Sequence, residues 1–210
     1  MSPILETSFA TWALGDQLVT PKGGKICLLN SNGARVSLES SFAPMQAPFG
    51  PSTYDKQPAS RMNLALQCGE PTQAFFERLN EWTKDYTQAH AERLFKKPMT
   101  REEIDAGYRS PLSTAGEYLP LVRTKITVEG PKACKFWTLE GKPREPPEDW
   151  RKVSLRPILS ISHLYITRSL DGSSSAPIFR SATIHRPLAL LRVRRPPLKR
   201  TRLCKSNLKR

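Results

Sequence analysis

Histidine is scarce in this chain: His90, His163 and His185 are the only three in 210 residues. Proton-transfer chemistry near neutral pH therefore has few groups to draw on. No Ser/His/Asp order, no Walker loop and no GxGxxG is present. Cysteine is also sparse, with Cys27, Cys68, Cys134 and Cys204 scattered singly. Without a CxxC pair a zinc site is not expected, and isolated cysteines suit buried thiols in a reducing compartment. No stretch reaches the ~18 apolar residues that a membrane span needs. Residues 1–14 carry no Lys or Arg and include Glu6, which is unlike a secretory signal or a mitochondrial presequence. These absences favour a binding protein over an enzyme.

Acid is in deficit too, with 19 Asp/Glu against 33 Lys/Arg and a formal net charge of +14. The excess is unevenly spread. Residues 167–210 hold 12 of the basic residues and one acid, Asp171, so residues 1–166 are left at only +3. Arg, Ser, Pro and Leu make up 26 of the 44 tail residues, and the tail is expected to be disordered. Three readings of it stay open. It is a cationic arm that gains affinity by releasing counterions from phosphates. Alternatively Arg192–Arg202 is a nuclear import signal. The third reading is an out-of-frame or intron-derived extension, since Leu, Ser and Arg each have six codons.

The preceding 166 residues are enough to bury a core. Lys25–Asn30 and Ala34–Glu39 read as strands joined by Ser31-Asn32-Gly33, a hairpin signal. Residues 43–60, with Pro44, Pro48, Pro51 and Pro58, read as an exposed loop. Arg61–Cys68 alternates as a half-buried strand does. From Pro71 to about Phe95, Phe75, Leu79, Trp82, Tyr86 and Ala89 form one apolar helical stripe. Thr100 and Glu103 make a capping box for a short helix closed by Gly107. That pattern, rather than a catalytic cluster, accounts for Glu102, Glu103 and Asp105. In Leu121–Val128, Val122, Ile126 and Val128 share one face, and Arg123 and Lys125 the other. Cys134–Leu139 and Val153–Ile166, the latter broken near Pro157, complete the strands. This order suits a mixed α+β domain on an antiparallel sheet or barrel, not a Rossmann-type fold.

Cations and rings are interleaved after residue 120. Arg123, Lys125, Lys132, Lys135, Phe136 and Trp137 are followed, after one loop, by Trp150, Arg151 and Lys152. Single strands are held by cations along their phosphates and by rings under their bases. Adjacent strand residues face opposite ways, so in a one-sided sheet at most one of Phe136 and Trp137 is buried.

Residues 90–104, from His90 through Leu94-Phe95-Lys96-Lys97 to Thr100-Arg101-Glu102-Glu103-Ile104, continue into Tyr108-Arg109-Ser110-Pro111-Leu112. Tyr118-Leu119-Pro120 then leads into Leu121–Ile126. Over roughly residues 60–166 this order resembles single-stranded DNA-binding proteins ascribed to large DNA viruses of algae, with relatives in protist genomes. These are held to be distantly related to the OB-fold replication proteins of podophages. The resemblance implies an antiparallel OB-like β-barrel with a helical insertion at 71–107. It also implies a groove for single-stranded DNA, and a role in replication, repair or recombination. Groove positions would be Arg123, Lys125, Lys132, Lys135 and Trp137, with Trp150 and Lys152 at the edge. Barrel closure is left open beyond Ile166, and the tail is basic where the podophage relatives end in acid. The expectation is therefore an OB-like nucleic-acid-binding domain over 1–166 and a disordered basic tail over 167–210. No cofactor, metal or membrane is expected. Replication proteins or a second copy are further partners, and the nucleus or a viral replication site, or else the cytoplasm, is the location. RNA on the same surface, or a scaffolding domain whose Phe75, Trp82 and Tyr86 dock on a partner, are the alternatives.

Overall fold

Strand β1 (Trp12–Val19) pairs antiparallel with β2 (Lys25–Ser31), and its register slips between Leu14 and Gln17. The slip explains why β1 escapes a search for alternation. Trp12 and Leu14 are buried, whereas Leu18 and Val19 past the slip are exposed. A tight turn joins β2 to β3 (Ala34–Leu38), with Asn32 and Gly33 at φ 50° and 78°. Two successive left-handed residues are what a type I′ hairpin requires, and Asn-Gly supplies them at least cost. The computed structural model describes residues 8–21, 25–38, 44–53, 60–114, 119–131, 133–166, 182–184 and 188–192.

Part of the proline-rich segment, residues 44–53, is paired where a loop is expected; residues 43 and 54–59 lie outside the described residues. Strands β4 (Met45–Gln46) and β5 (Pro51–Ser52) both lie antiparallel to β6 (Arg61–Gln67), through Gln46↔Gln67, Pro51↔Leu64 and Ser52↔Asn63. Between them, residues 47–50 bulge out in a turn closed by the Gly50 N–H donating to the Ala47 carbonyl at 3.1 Å. Met45 and Ala47 are buried, and this apolar anchorage holds the strap against β6 despite its prolines.

The helical insertion follows β6. Helix α1 (Glu70–Ala89) starts with a proline in its first turn, where no amide hydrogen is needed. Phe75 and Leu79 are buried, Trp82 and Tyr86 pack against the core, and Ala89 is exposed. The single helix expected to Phe95 is instead broken at His90, and α2 (Ala91–Phe95) is a separate turn. At the break the His90 ring stacks on Tyr86 at 4.1 Å, and its Nδ1 lies 2.9 Å from the Tyr86 carbonyl. Helix α3 (Arg101–Gly107) carries the full capping box. The Glu103 N–H donates to Thr100 Oγ1, and the Thr100 N–H donates to the Glu103 carboxylate at 2.8 Å. Thr100→Ala should cost about 1 kcal/mol of stability in chemical denaturation, within the usual range for a lost N-cap. Thr100→Ser should restore it.

After α3 come β7 (Leu112–Ser113), β8 (Leu121–Thr127), β9 (Phe136–Trp137) and β10 (Pro143–Arg144). A 3-10 turn at Trp150–Lys152 leads into β11 (Val153–Arg156), β12 (Leu159–Ile161) and β13 (His163–Ile166). Two segments of the basic tail, expected to lack structure, are strands: β14 (Ala182–Ile184) and β15 (Leu188–Arg192). The rest of 167–210 lies outside the described residues. The strand order is β1-β2-β3-β12-β14-β8-β6-β4-β11-β15-β9-β10, with β13 on β2, β5 on β6 and β7 on β8. Pairing is antiparallel except β14 on β8 and β15 on β9.

The described residues form a mixed α+β fold with mostly antiparallel strands and three α-helices. The expected barrel is not closed: among the described residues β1 and β10 end the path without pairing to each other. Where β8 turns toward β9, one backbone bond links them, from the Cys134 N–H to the Thr127 carbonyl at 2.7 Å. One bond is not a ladder, and a barrel needs a ladder at every seam. Residues 159–166 run antiparallel first to β3 (Ile161↔Val36) and then to β2 (His163↔Leu28). The Asn30–Arg35 hairpin tip therefore stands out of an otherwise continuous ladder.

The core joins the inner faces of these strands to α1. Leu64, Leu66, Phe75, Phe76, Val122, Ile126, Leu155 and Leu159 are all 1% exposed or less. Cys27, Cys68 and Cys134 are buried thiols outside any disulfide among the described residues. Burial pushes Cys27 and Cys68 up to about 11. Cys204 lies outside the described residues.

Candidate nucleic-acid interface

Strands β6 and β8 pair over seven positions, from Arg61↔Thr127 to Gln67↔Leu121. In β8 the buried residues are Val122, Thr124 and Ile126, and in β6 Leu64 and Leu66. The opposite face therefore carries Arg61, Asn63, Ala65 and Gln67 beside Leu121, Arg123, Lys125 and Thr127. Lys125 is opposite Asn63, and Arg123 opposite Ala65. Arg123 is exposed, and its Nη2 donates to Ser113 Oγ on β7 at 3.3 Å. Diagonal neighbours across an antiparallel pair lie about 7–8 Å apart. Arg61 thus lies within reach of the same strip as Lys125 and Arg123. None of these eight outward positions is acidic. Arg61 was legible as an outward strand residue, but only the register with β8 brings it beside Lys125.

The other candidates separate. Lys132 lies outside the described residues. Lys135 is exposed just before β9. Phe136 is buried and Trp137 half-buried, so one ring points each way, as expected for neighbours in a strand. Trp150, expected at the edge of a groove, is a core residue at 9% exposure. Its ring meets Phe136 edge-on at 5.7 Å, and Gly50 packs against its Cβ. Lys152 is exposed, and its ammonium lies 3.0 Å from Asp149, which also pairs with Arg151 at 3.2 Å. Hydrogen bonds from Lys152 and then Arg151 hold the Asp149 carboxyl below the usual range.

The tail strands touch this region. Strand β14 pairs with β8 at Thr183↔Lys125, and β15 with β9 at Ala189↔Trp137. The backbone of the tail is therefore built in beside two candidate residues.

The remaining polar clusters have structural roles. Arg101 bonds Glu81, Asp85 and Asp105, and Lys84 bonds Glu81 and Asp105, which ties α3 to α1. Of the helix rings that a scaffold would offer, Phe75 and Trp82 pack against a tilted Phe9, and Trp12 meets Trp82 edge-on. His163 Nδ1 lies 2.7 Å from Ser162 Oγ, and His185 lies outside the described residues. Among the described residues no three His, Cys, Asp or Glu side chains gather as metal ligands, and no helix is long and apolar enough to cross a membrane. Compared with protein-family models, with curated proteins and with solved structures, the chain matches none.

Proposed function

We propose that this protein binds single-stranded DNA without catalysing a reaction, using the outward face of β6 and β8. The observation that carries the reading is the acid-free strip formed by Arg61, Arg123 and Lys125 on two paired strands. A strip of cations without intervening acids attracts a phosphate chain and releases its counterions. Lys135 and the half-buried Trp137 add a cation and a ring face at β9. Bases stack on such a ring without regard to sequence. The resemblance over residues 60–166 supports the same reading: an open, OB-like sheet with a helical insertion, acting in replication, repair or recombination.

The test is titration of the full chain against single-stranded DNA, duplex DNA and RNA of equal length at two salt concentrations. Removing residues 167–210 would also remove β14 and β15 from the sheet, so the contribution of the tail is isolated by substitution. Arg194, Arg195, Arg200 and Arg202 are changed to Gln. Preference for single-stranded DNA should survive that change. Its loss would assign the binding to the tail, and a preference for RNA would favour the RNA reading. Trp137→Ala should weaken single-strand binding by about 1–3 kcal/mol, as measured for stacked bases, without changing the melting temperature. A lower melting temperature with unchanged binding would make Trp137 a packing residue.

A further inference from the structure

Phe49 is the most exposed of the large apolar side chains described, at 73%. It sits at the apex of the 47–50 turn, and three features hold the backbone there. Gly50 closes the turn at φ 64°, a conformation a β-carbon would strain. Pro48 and Pro51 fix φ on either side of Phe49-Gly50. Gly50 rests on Trp150, where an added β-carbon would lie 3.6 Å from the Trp150 Cβ. The ladder of β4 with β11, Gln46↔Ser154 and Met45↔Leu155, ends at Gln46, so Phe49 stands clear of it. A rigid turn therefore presents a bare ring on a buried tryptophan pedestal. The far side of that pedestal meets Phe136, the chain neighbour of Trp137. The strap that carries Phe49 is also hydrogen-bonded to β6, one strand from Arg123 and Lys125.

We infer that Phe49 is a second base-stacking platform, so that a bound single strand crosses from the β8 cations over the strap toward Trp137. This inference rests on the single-strand reading above. Arg151 and Lys152, which follow Trp150 in the chain, both pair with Asp149. The turn therefore contributes a ring face and not a field. Two contributions with different salt signatures follow, because only neutralised phosphates set the salt slope.

The experiment compares the full chain with its Phe49→Ala and Phe49→Tyr variants on single-stranded DNA across a salt series. Photocrosslinking to an oligonucleotide carrying 5-iodouracil then maps the contact. Phe49→Ala should weaken binding roughly 5- to 100-fold at every salt concentration, the loss expected for one stacked base, with an unchanged slope and melting temperature. Phe49→Tyr should bind like the parent, and the crosslinked peptide should contain Phe49. If Phe49→Ala binds like the parent while the parent still prefers single strands, the platform is refuted and the single-strand reading stands. If the parent has no single-strand preference, both fall.

Discussion

Trp150→Ala should destabilise the fold by about 3–5 kcal/mol, the usual cost of removing a buried aromatic side chain. For a chain of this size that is a fall in melting temperature of roughly 6–20 °C. The residue sits beside the strap, where an added β-carbon at Gly50 would lie 3.6 Å from its Cβ, and beside β9, where the Phe136 ring meets it at 5.7 Å. Deleting the ring opens a cavity next to the buried Phe136. Trp150→Phe should recover most of the loss. Thermal melts followed by near-ultraviolet circular dichroism check this directly. The contrary result is an unchanged melting temperature with weaker binding to single strands, which would return Trp150 to the interface that its neighbours in sequence suggest.

Reversing Arg123 and Lys125 together to Glu should weaken single-strand binding at low salt by roughly two orders of magnitude. Each lost phosphate contact also lowers the salt slope by about 0.7 on single strands, so the double variant should be flatter by about 1.4. The melting temperature should hardly move, because Arg123 is exposed and Lys125 is half-buried on an outward face. Arg109→Glu with Lys96→Glu makes the same change in net charge in and just past the helical insertion, where both residues are exposed. If that control weakens binding as much as the strip variant, net charge governs the affinity and the strip has no special part. Fluorescence anisotropy over a salt series distinguishes the two outcomes.

Local chemistry was legible wherever a few adjacent residues determine the conformation. Asn32-Gly33 dictates its own turn, Thr100 and Glu103 satisfy each other's amides, and Val122, Thr124 and Ile126 alternate with Arg123 and Lys125 across one strand. Pro157 breaks the 153–166 segment as expected, between β11 and β12. What escaped depends on distant partners. The β1 register slip destroys the period on which recognition of a strand relies. The strap at 45–52 looks like a loop because its pairing is with β6, 11 to 21 residues further on. His90 ends the helix just after the apolar stripe stops at Ala89, short of the Phe95 expected. The site followed the same division. Arg123 and Lys125 were found from alternation, whereas the place of Arg61 beside them and the burial of Trp150 required the tertiary register. Phe49 carried one faint signal, an aromatic residue set among prolines and glycine in an otherwise polar stretch.

The course of residues 159–166 along β3 and then β2 has a consequence for synthesis on the ribosome. Leu38 pairs with Leu159, and Lys25 with Ile166, so these edges wait for partners made more than a hundred residues later. At the usual ~5–20 residues per second the delay is on the order of 6–25 seconds. During that interval the hairpin at 25–38 exposes unpaired backbone and the apolar side chains of Cys27, Leu29 and Val36, all buried once folding is complete. Until then that edge is open to aggregation, so slower elongation through 39–166 should lower the soluble yield.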